Sequence, residues 1–250
     1  MRIVIVAACA LACGACTQET VKFKASPQQQ AIVRDGRPAL ISKRKNSLVM
    51  IRPATRQVPA DGRPVFVVGV HNLTAKPVDF LVRNVAVTQA VGTGSVPIKV
   101  FTYEDLVAEE KSRQVIAALL VGAAAGINAA AASNAGHGYS SRTVRSARGT
   151  RTTHTATYSS SRARAAQSRA LRENEKLIDA AIAQGQDNLA VLERDVLKDN
   201  TLMPGEWYGG TLHLQPPARS DSESAPKTYS IAMMIGPDHH EISVVQDGAR

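Results

Sequence analysis

A chain of 250 residues, 44% of them apolar, has material for one sizeable domain or two small ones, which excludes disorder along its whole length. Aromatics are only 4%, and the net charge of +9 is concentrated: Lys111 to Arg172 holds ten Lys or Arg and no Asp or Glu, leaving about −1 for everything else. All three cysteines lie within the first sixteen residues, which excludes a disulfide framework or a cysteine-based zinc site further along.

Met1-Arg2 and the apolar run Ile3 to Ala12 (IVIVAACALA) predict an export signal, since the run has the length of an h-region and is too short for a membrane span. The residues that follow, L-A-C-G-A-C-T, resemble the lipobox of bacterial lipoproteins, with Cys13 where that family usually has Leu. The resemblance implies that residues 1–15 are removed and that Cys16, behind the small Gly14 and Ala15, carries the lipid. Cys13 is the second choice, and Cys9 leaves too short an h-region. The other reading is an ordinary secretory signal with incidental cysteines. Thr17 rather than Asp after Cys16 implies the outer membrane, with the periplasmic side the expected location.

Residues 16–30 (…TQETVKFKASPQQQ) show no apolar periodicity and predict a flexible tether. Asp35-Gly36 between two short apolar runs predicts a tight hairpin. Short β-rich runs then recur at Ser47 to Arg52, Pro64 to Asn72, Val78 to Gln89 and Val96 to Thr102, and return at Glu206 to Gln215, Thr228 to Gly236 and Glu241 to Gln246. Neither block has enough strands to stand alone. Together, 31–102 and 205–247 predict one antiparallel immunoglobulin-like β-sandwich, and with the helices below the fold class is α+β. The H-N-L-T-A-K-P turn and M-P-G-E before Trp207 resemble elements of export-pathway Ig-like modules.

Between the β blocks, 103–200 predicts an antiparallel helical hairpin. Thr102 to Asp105 fits a capping box, and the proline-free, alanine-rich stretch to about Ser133 favours helix. A second helix is expected from Ala163 to Lys198, with Ile178, Ile182, Gly185, Leu189, Leu192 and Val196 as the seam facing its partner. Gly122 and Gly126 are expected to let the two helices approach closely. The tip, 136–162, is rich in Ser, Thr and Arg and lacks large apolar residues, which predicts a mobile, solvated loop.

Val115 to Ala132 is apolar, but mostly Ala and Gly, and the second helix carries Arg172, Glu173, Glu175, Lys176, Asp179 and Asp187; packing in a hairpin or homo-oligomer is therefore preferred to insertion into a bilayer. Arg142, Arg145, Arg148, Arg151, Arg162 and Arg164 predict contact with an anionic surface, lipid headgroups or an acidic envelope protein, or else simply solvated charge. Nucleic acid is disfavoured by the compartment and by the lack of interleaved aromatics. His239-His240-Glu241 reads as a turn entering the last strand rather than a metal site, and no nucleophile elbow, P-loop, zinc-protease, EF-hand or dinucleotide fingerprint occurs. The expectation is a non-enzymatic structural or interaction component of the envelope, with no cofactor and no metal. The alternatives are a periplasmic module that binds a peptide or small ligand at a groove or open edge of the sandwich and, third, a hydrolase with an unrecognised site.

Overall fold

The computed structural model describes residues 18–146, 149–218 and 226–248, so the signal run, Cys13, Cys16 and Arg148 lie outside the described residues. The chain divides into two compact units, Met1–Tyr103 with Asp195–Arg250 and, inserted between them in sequence, Glu104–Arg194. We call these the β unit and the helical unit. The fold class is α+β: two long helices and many antiparallel strands in several sheets.

In chain order the β unit contains β1 (Gln18–Lys24), β2 (Gln29–Arg34), β3 (Arg37–Lys43), β4 (Ser47–Pro53), β5 (Val58–Pro59), β6 (Val65–Asn72), β7 (Val78–Phe80), β8 (Val85–Val91), β9 (Gly94–Ile98) and β10 (Val100–Phe101). The helical unit, whose first helix begins one residue before it, has α1 (Tyr103–Asn134), β11 (His137–Ser146), β12 (Gly149–Tyr158) and α2 (Ser160–Asp195). The chain then returns through β13 (Asn200–Leu202), β14 (Trp207–Leu214), β15 (Lys227–Ile235) and β16 (Asp238–Gly248).

One six-stranded sheet has the order β5-β1-β16-β15-β8-β9 and the other β10-β14-β6-β4-β3-β2. Each therefore draws strands from both ends of the chain. Alternation does the sorting: β4 and β6 turn Val49, Ile51, Phe66, Val68 and Val70 inward, β15 and β16 turn in Tyr229, Ile231, Met233, Ile242 and Val244, and these residues share one buried core. All of its members belong to the β unit.

Asp35 and Gly36 take φ of 53° and 68°, so the β2–β3 connection has the two positive angles a two-residue turn requires. At Arg83-Asn84 the chain forms a short 3-10 turn, Val82–Asn84, and separates β7 from β8 as two strands.

Two expectations are corrected here. The expected tether at 16–30 is structured from Gln18 onward: β1 pairs with β16 from Glu19↔Gly248 to Lys24↔Ser243. Its alternation is hard to see because Phe23 lies between Lys22 and Lys24 and the inward position before Val21 is held by a charged residue, the buried Glu19. The expected loop at 136–162 is a hairpin in which β11 and β12 pair over ten positions, from His137↔Tyr158 to Ser146↔Gly149. Threonine's β-branched side chain suits an extended backbone, and two strands satisfy one another's main-chain groups without needing a core. The Thr143 and Thr152 hydroxyls meet across the ladder at 3.0 Å.

Candidate functional site

The helical unit is built around small and polar side chains. In α1 the shielded positions include Glu110, Gln114, Val121, Asn128 and Ala132, and in α2 they include Ala170, Asn174, Ala181, Gly185 and Asn188, at spacings of three, four and seven. Gln114 lies across Gly185, where a Cβ would come within 2.8 Å of the Gln114 side chain, and its Nε2 donates to the Gly185 carbonyl at 3.1 Å. Asn188 Nδ2 donates to buried Glu110 Oε1 at 2.9 Å, while Arg113 holds the other oxygen of that carboxylate at 3.2 Å. Nearer the tip, Asn128 Nδ2 donates to Asn174 Oδ1 at 2.9 Å, and Asn174 in turn donates to the Ala125 carbonyl at 3.3 Å. Polar pairs of this kind fix the register of two helices, because any slip leaves an amide or carboxylate unpaired.

This seam differs from the predicted one. Gly185 is common to both, but Ile178 and Ile182 are exposed, Leu189 and Leu192 are half-buried, and Val196 is not in the helix at all. Val196 is buried in the β unit, bridged to Thr211. Gly122 and Gly126 face open space, with nothing within 4 Å of a Cβ added at either, so they do not bring α1 and α2 together. The reason is volume. Large aliphatics between the axes would force them apart, whereas Gly and Ala let the polar side chains reach across.

The arginine series is scattered. Register places Arg142 (opposite Thr153) and Arg151 (opposite Val144) on one face of the hairpin and Arg145 on the other, and Arg162 and Arg164 lie in the first turns of α2. All five are exposed; Arg148 lies outside the described residues.

The β unit holds a chemistry-bearing cluster with no local sequence signal. Ser42 Oγ lies 2.9 Å from His240 Nδ1, Ser47 Oγ lies 2.8 Å from His240 Nε2, and Ser47 Oγ donates to Asp238 Oδ2 at 2.7 Å. One proton assignment satisfies all three contacts: Ser42 donates to Nδ1, Nε2–H donates to Ser47, and Ser47 donates to Asp238. Asn46 adds a backbone N–H at 2.8 Å and a side-chain N–H at 3.0 Å to the carboxylate. Burial drives the His240 pKa down to about 4, against the pull of Asp238. Asp238 opposes its own desolvation with the hydrogen bonds from Ser47 and Asn46 and ends below the usual carboxylate range. Ser42, Ser47 and His240 are at most 1% exposed, so the chain of hydrogen bonds is shielded from solvent and acts as a latch between the sheets, β16 on one side and β3 and β4 on the other. His239, one residue away, points out to solvent.

Two further buried polar groups close the β unit. Asn72 Nδ2 donates to the carbonyls of Lys76, Leu202 and Met203, and its Oδ1 accepts from Thr74, so the H-N-L-T-A-K-P turn is pinned to the segment before β14. Lys227 Nζ pairs with both carboxylate oxygens of Glu19 at 2.9 Å and with the Ala60 carbonyl, and Gln246 also donates to Glu19.

Among the described residues no group of three or more His, Cys, Asp or Glu is placed to hold a metal ion. Compared with protein-family models, with curated proteins and with solved structures, the chain matches none.

Proposed function

We propose that this chain is a lipid-anchored envelope protein, attached through Cys16 on the periplasmic side of the outer membrane, that acts as a non-enzymatic structural or interaction component through its helical unit. The observation that carries the reading is in the helical unit, which sets Glu110, Gln114, Asn128, Asn174 and Asn188 between its helices and leaves most of its large aliphatic side chains exposed. A unit built that way has a surface to be covered by another macromolecule. α1 is also long and apolar enough to cross a membrane by length and composition, but the charges along α2 supply no return span. The two six-stranded sheets fit a face-to-face sandwich of immunoglobulin-like type, in which the β unit is the support. With β1 starting at Gln18, a lipid on Cys16 holds that support within two residues of the bilayer surface.

Two measurements test this. A clickable palmitate analogue should label the wild type and not Cys16→Ser; labelling that survives in Cys16→Ser and disappears in Cys13→Ser moves the anchor, and none in either variant rejects it. Photocrosslinkers placed in intact cells at positions 120 and 158 should capture partners, against Trp207 and Met234 in the β unit as comparison; capture from the β positions alone rejects the helical unit as the working surface. The exposed arginines add an electrostatic component toward anionic lipid. That component should fade between 0.1 M and 1 M salt, as the Debye length falls from about 10 Å to about 3 Å.

One observation favours a second reading, a periplasmic binding module. A groove of about 470 Å³ lined by Phe23, Ile32, Val33 and Ala39 lies beside β2, the last strand of its sheet, where an extended apolar peptide would add as a further strand. Capture of peptides by a chain lacking Glu104–Arg194 supports it.

A further inference from the structure

We infer that the partner of the helical unit is a second copy of this chain, added side by side so that α2 and β12 of one copy meet α1 and β11 of the next. The inference rests on the proposed role of that unit as an interaction surface and names what covers it.

Two features of the unit ask for the same partner. The first is apolar area. Val115, Ile116, Leu119, Leu120 and Ile127 on α1 and Leu171, Leu177, Ile178, Ile182 and Val191 on α2 are 43% to 71% exposed. Together they present on the order of 1,000 Å² of apolar surface, more than soluble monomers leave in water, divided about equally between an α1 face and an α2 face, so the strand edges must add to each interface to reach one partner's share of a standard one. Gly122 and Gly126 belong to the α1 face, with open space above them, so a neighbouring helix can approach closely there.

The second feature is the pair of strand edges. Among the described residues β11 and β12 form a sheet of their own with no third strand, and every position but Gly138 is exposed. Two ten-residue strands with both outer edges open are marginal in water, and open edges are satisfied by another strand. A bilayer offers the helices an apolar medium but gives the strand edges no hydrogen-bonding partner. A hairpin of another copy provides both, and translation sideways sets β12 antiparallel to the next β11, as within the hairpin itself.

The same edges fix the symmetry. A two-fold dimer joining β11 to β11, or β12 to β12, leaves one edge of each hairpin open. A heterologous arrangement uses both with a single kind of contact, and such interfaces close into a ring where the rotation between neighbours permits. The ladder is polar on both faces, with Ser, Thr and Arg on each, so the closed wall stands in water and not in the hydrocarbon layer. Arg142, Arg145 and Arg151 repeat around it, and their mutual repulsion makes the assembly tighter, not weaker, as salt rises.

Complementary blocked faces test the idea in the full-length protein extracted from membranes with detergent. Leu120→Arg blocks the α1 face and Ile182→Arg the α2 face; both positions are exposed, so neither substitution disturbs a core. The wild type should sediment as one closed oligomer that persists at 1 M salt. Each variant alone should be monomeric, its self-association weakened roughly 30-fold or more. Co-expressed, the two should form a heterodimer and nothing larger, since one intact α1 face and one intact α2 face remain. Self-association of Ile182→Arg by itself, or a monomeric wild type at micromolar concentration, overturns the inference. Crosslinks from position 120 to a protein of another mass also overturn it while leaving the interaction role intact; crosslinks to nothing at all remove both.

Discussion

In the β unit Phe66, Tyr229 and Leu40 are sealed inside and the charges face water apart from the paired Glu19, Lys227 and Asp238; in the helical unit Leu119, Leu120 and Ile127 face water and Glu110, Asn128 and Asn174 lie between the helices. The two units solve the same problem of satisfying backbone and side chains by opposite routes. The β unit is held by burial of a shared core, with polar latches at its margins. The helical unit is held by close approach of small residues and a ladder of amide and carboxylate hydrogen bonds, with aliphatic side chains left exposed. The difference teaches that two stretches of one chain are held together by different means, so a perturbation in one should leave the other largely alone.

The largest expected effect is in the core. Phe66→Ala should cost the β unit about 3–5 kcal/mol in urea unfolding, whereas Leu119→Ala in the helical unit should cost the isolated chain under about 0.5 kcal/mol, since Leu119 is already in water. Comparable losses at both sites would erase the contrast. Next comes acid. Above pH 6.5 His240 is neutral folded and unfolded, so the latch is at full strength. As pH falls from about 6.5 to about 4 the unfolded chain takes up a proton that the folded chain excludes, and about 3 kcal/mol is lost. Asp238, held below its ordinary value, extends the loss under pH 3.8. His240→Gln should flatten the upper part of that profile, and a profile unchanged by the substitution would remove His240 from the account.

Gly185→Val should cost roughly 1–3 kcal/mol of helical-unit stability by driving Gln114 off the seam, read as loss of helical circular dichroism on heating. The same change at Gly122 should leave intramolecular stability within about 1 kcal/mol, because nothing faces it. A small effect is expected even from the largest edit: replacing Glu104–Arg194 with a short Gly/Ser bridge should leave cooperative unfolding of the β unit within about 1 kcal/mol of the full chain. A molten product would show that the two units share stabilising contacts after all.

Residue order alone determined much of this protein. Strand periodicity at Ser47 to Arg52 and Pro64 to Asn72, the Asp35-Gly36 turn and the alanine-rich helix are local signals, because period and turn angles depend on neighbours a few residues apart. The helical seam was legible in spacing but not in phase: an apolar stripe on α2 was visible, yet which side of it faces α1 depends on whether the space between the axes admits leucine or only glycine. The threonine hairpin was missed because a composition that cannot build a core can still pair with itself. The Ser42–Ser47–Asp238–His240 latch joins residues nearly two hundred positions apart, and only the return of β15 and β16 to sheets begun at the other end of the chain brings them within hydrogen-bond distance.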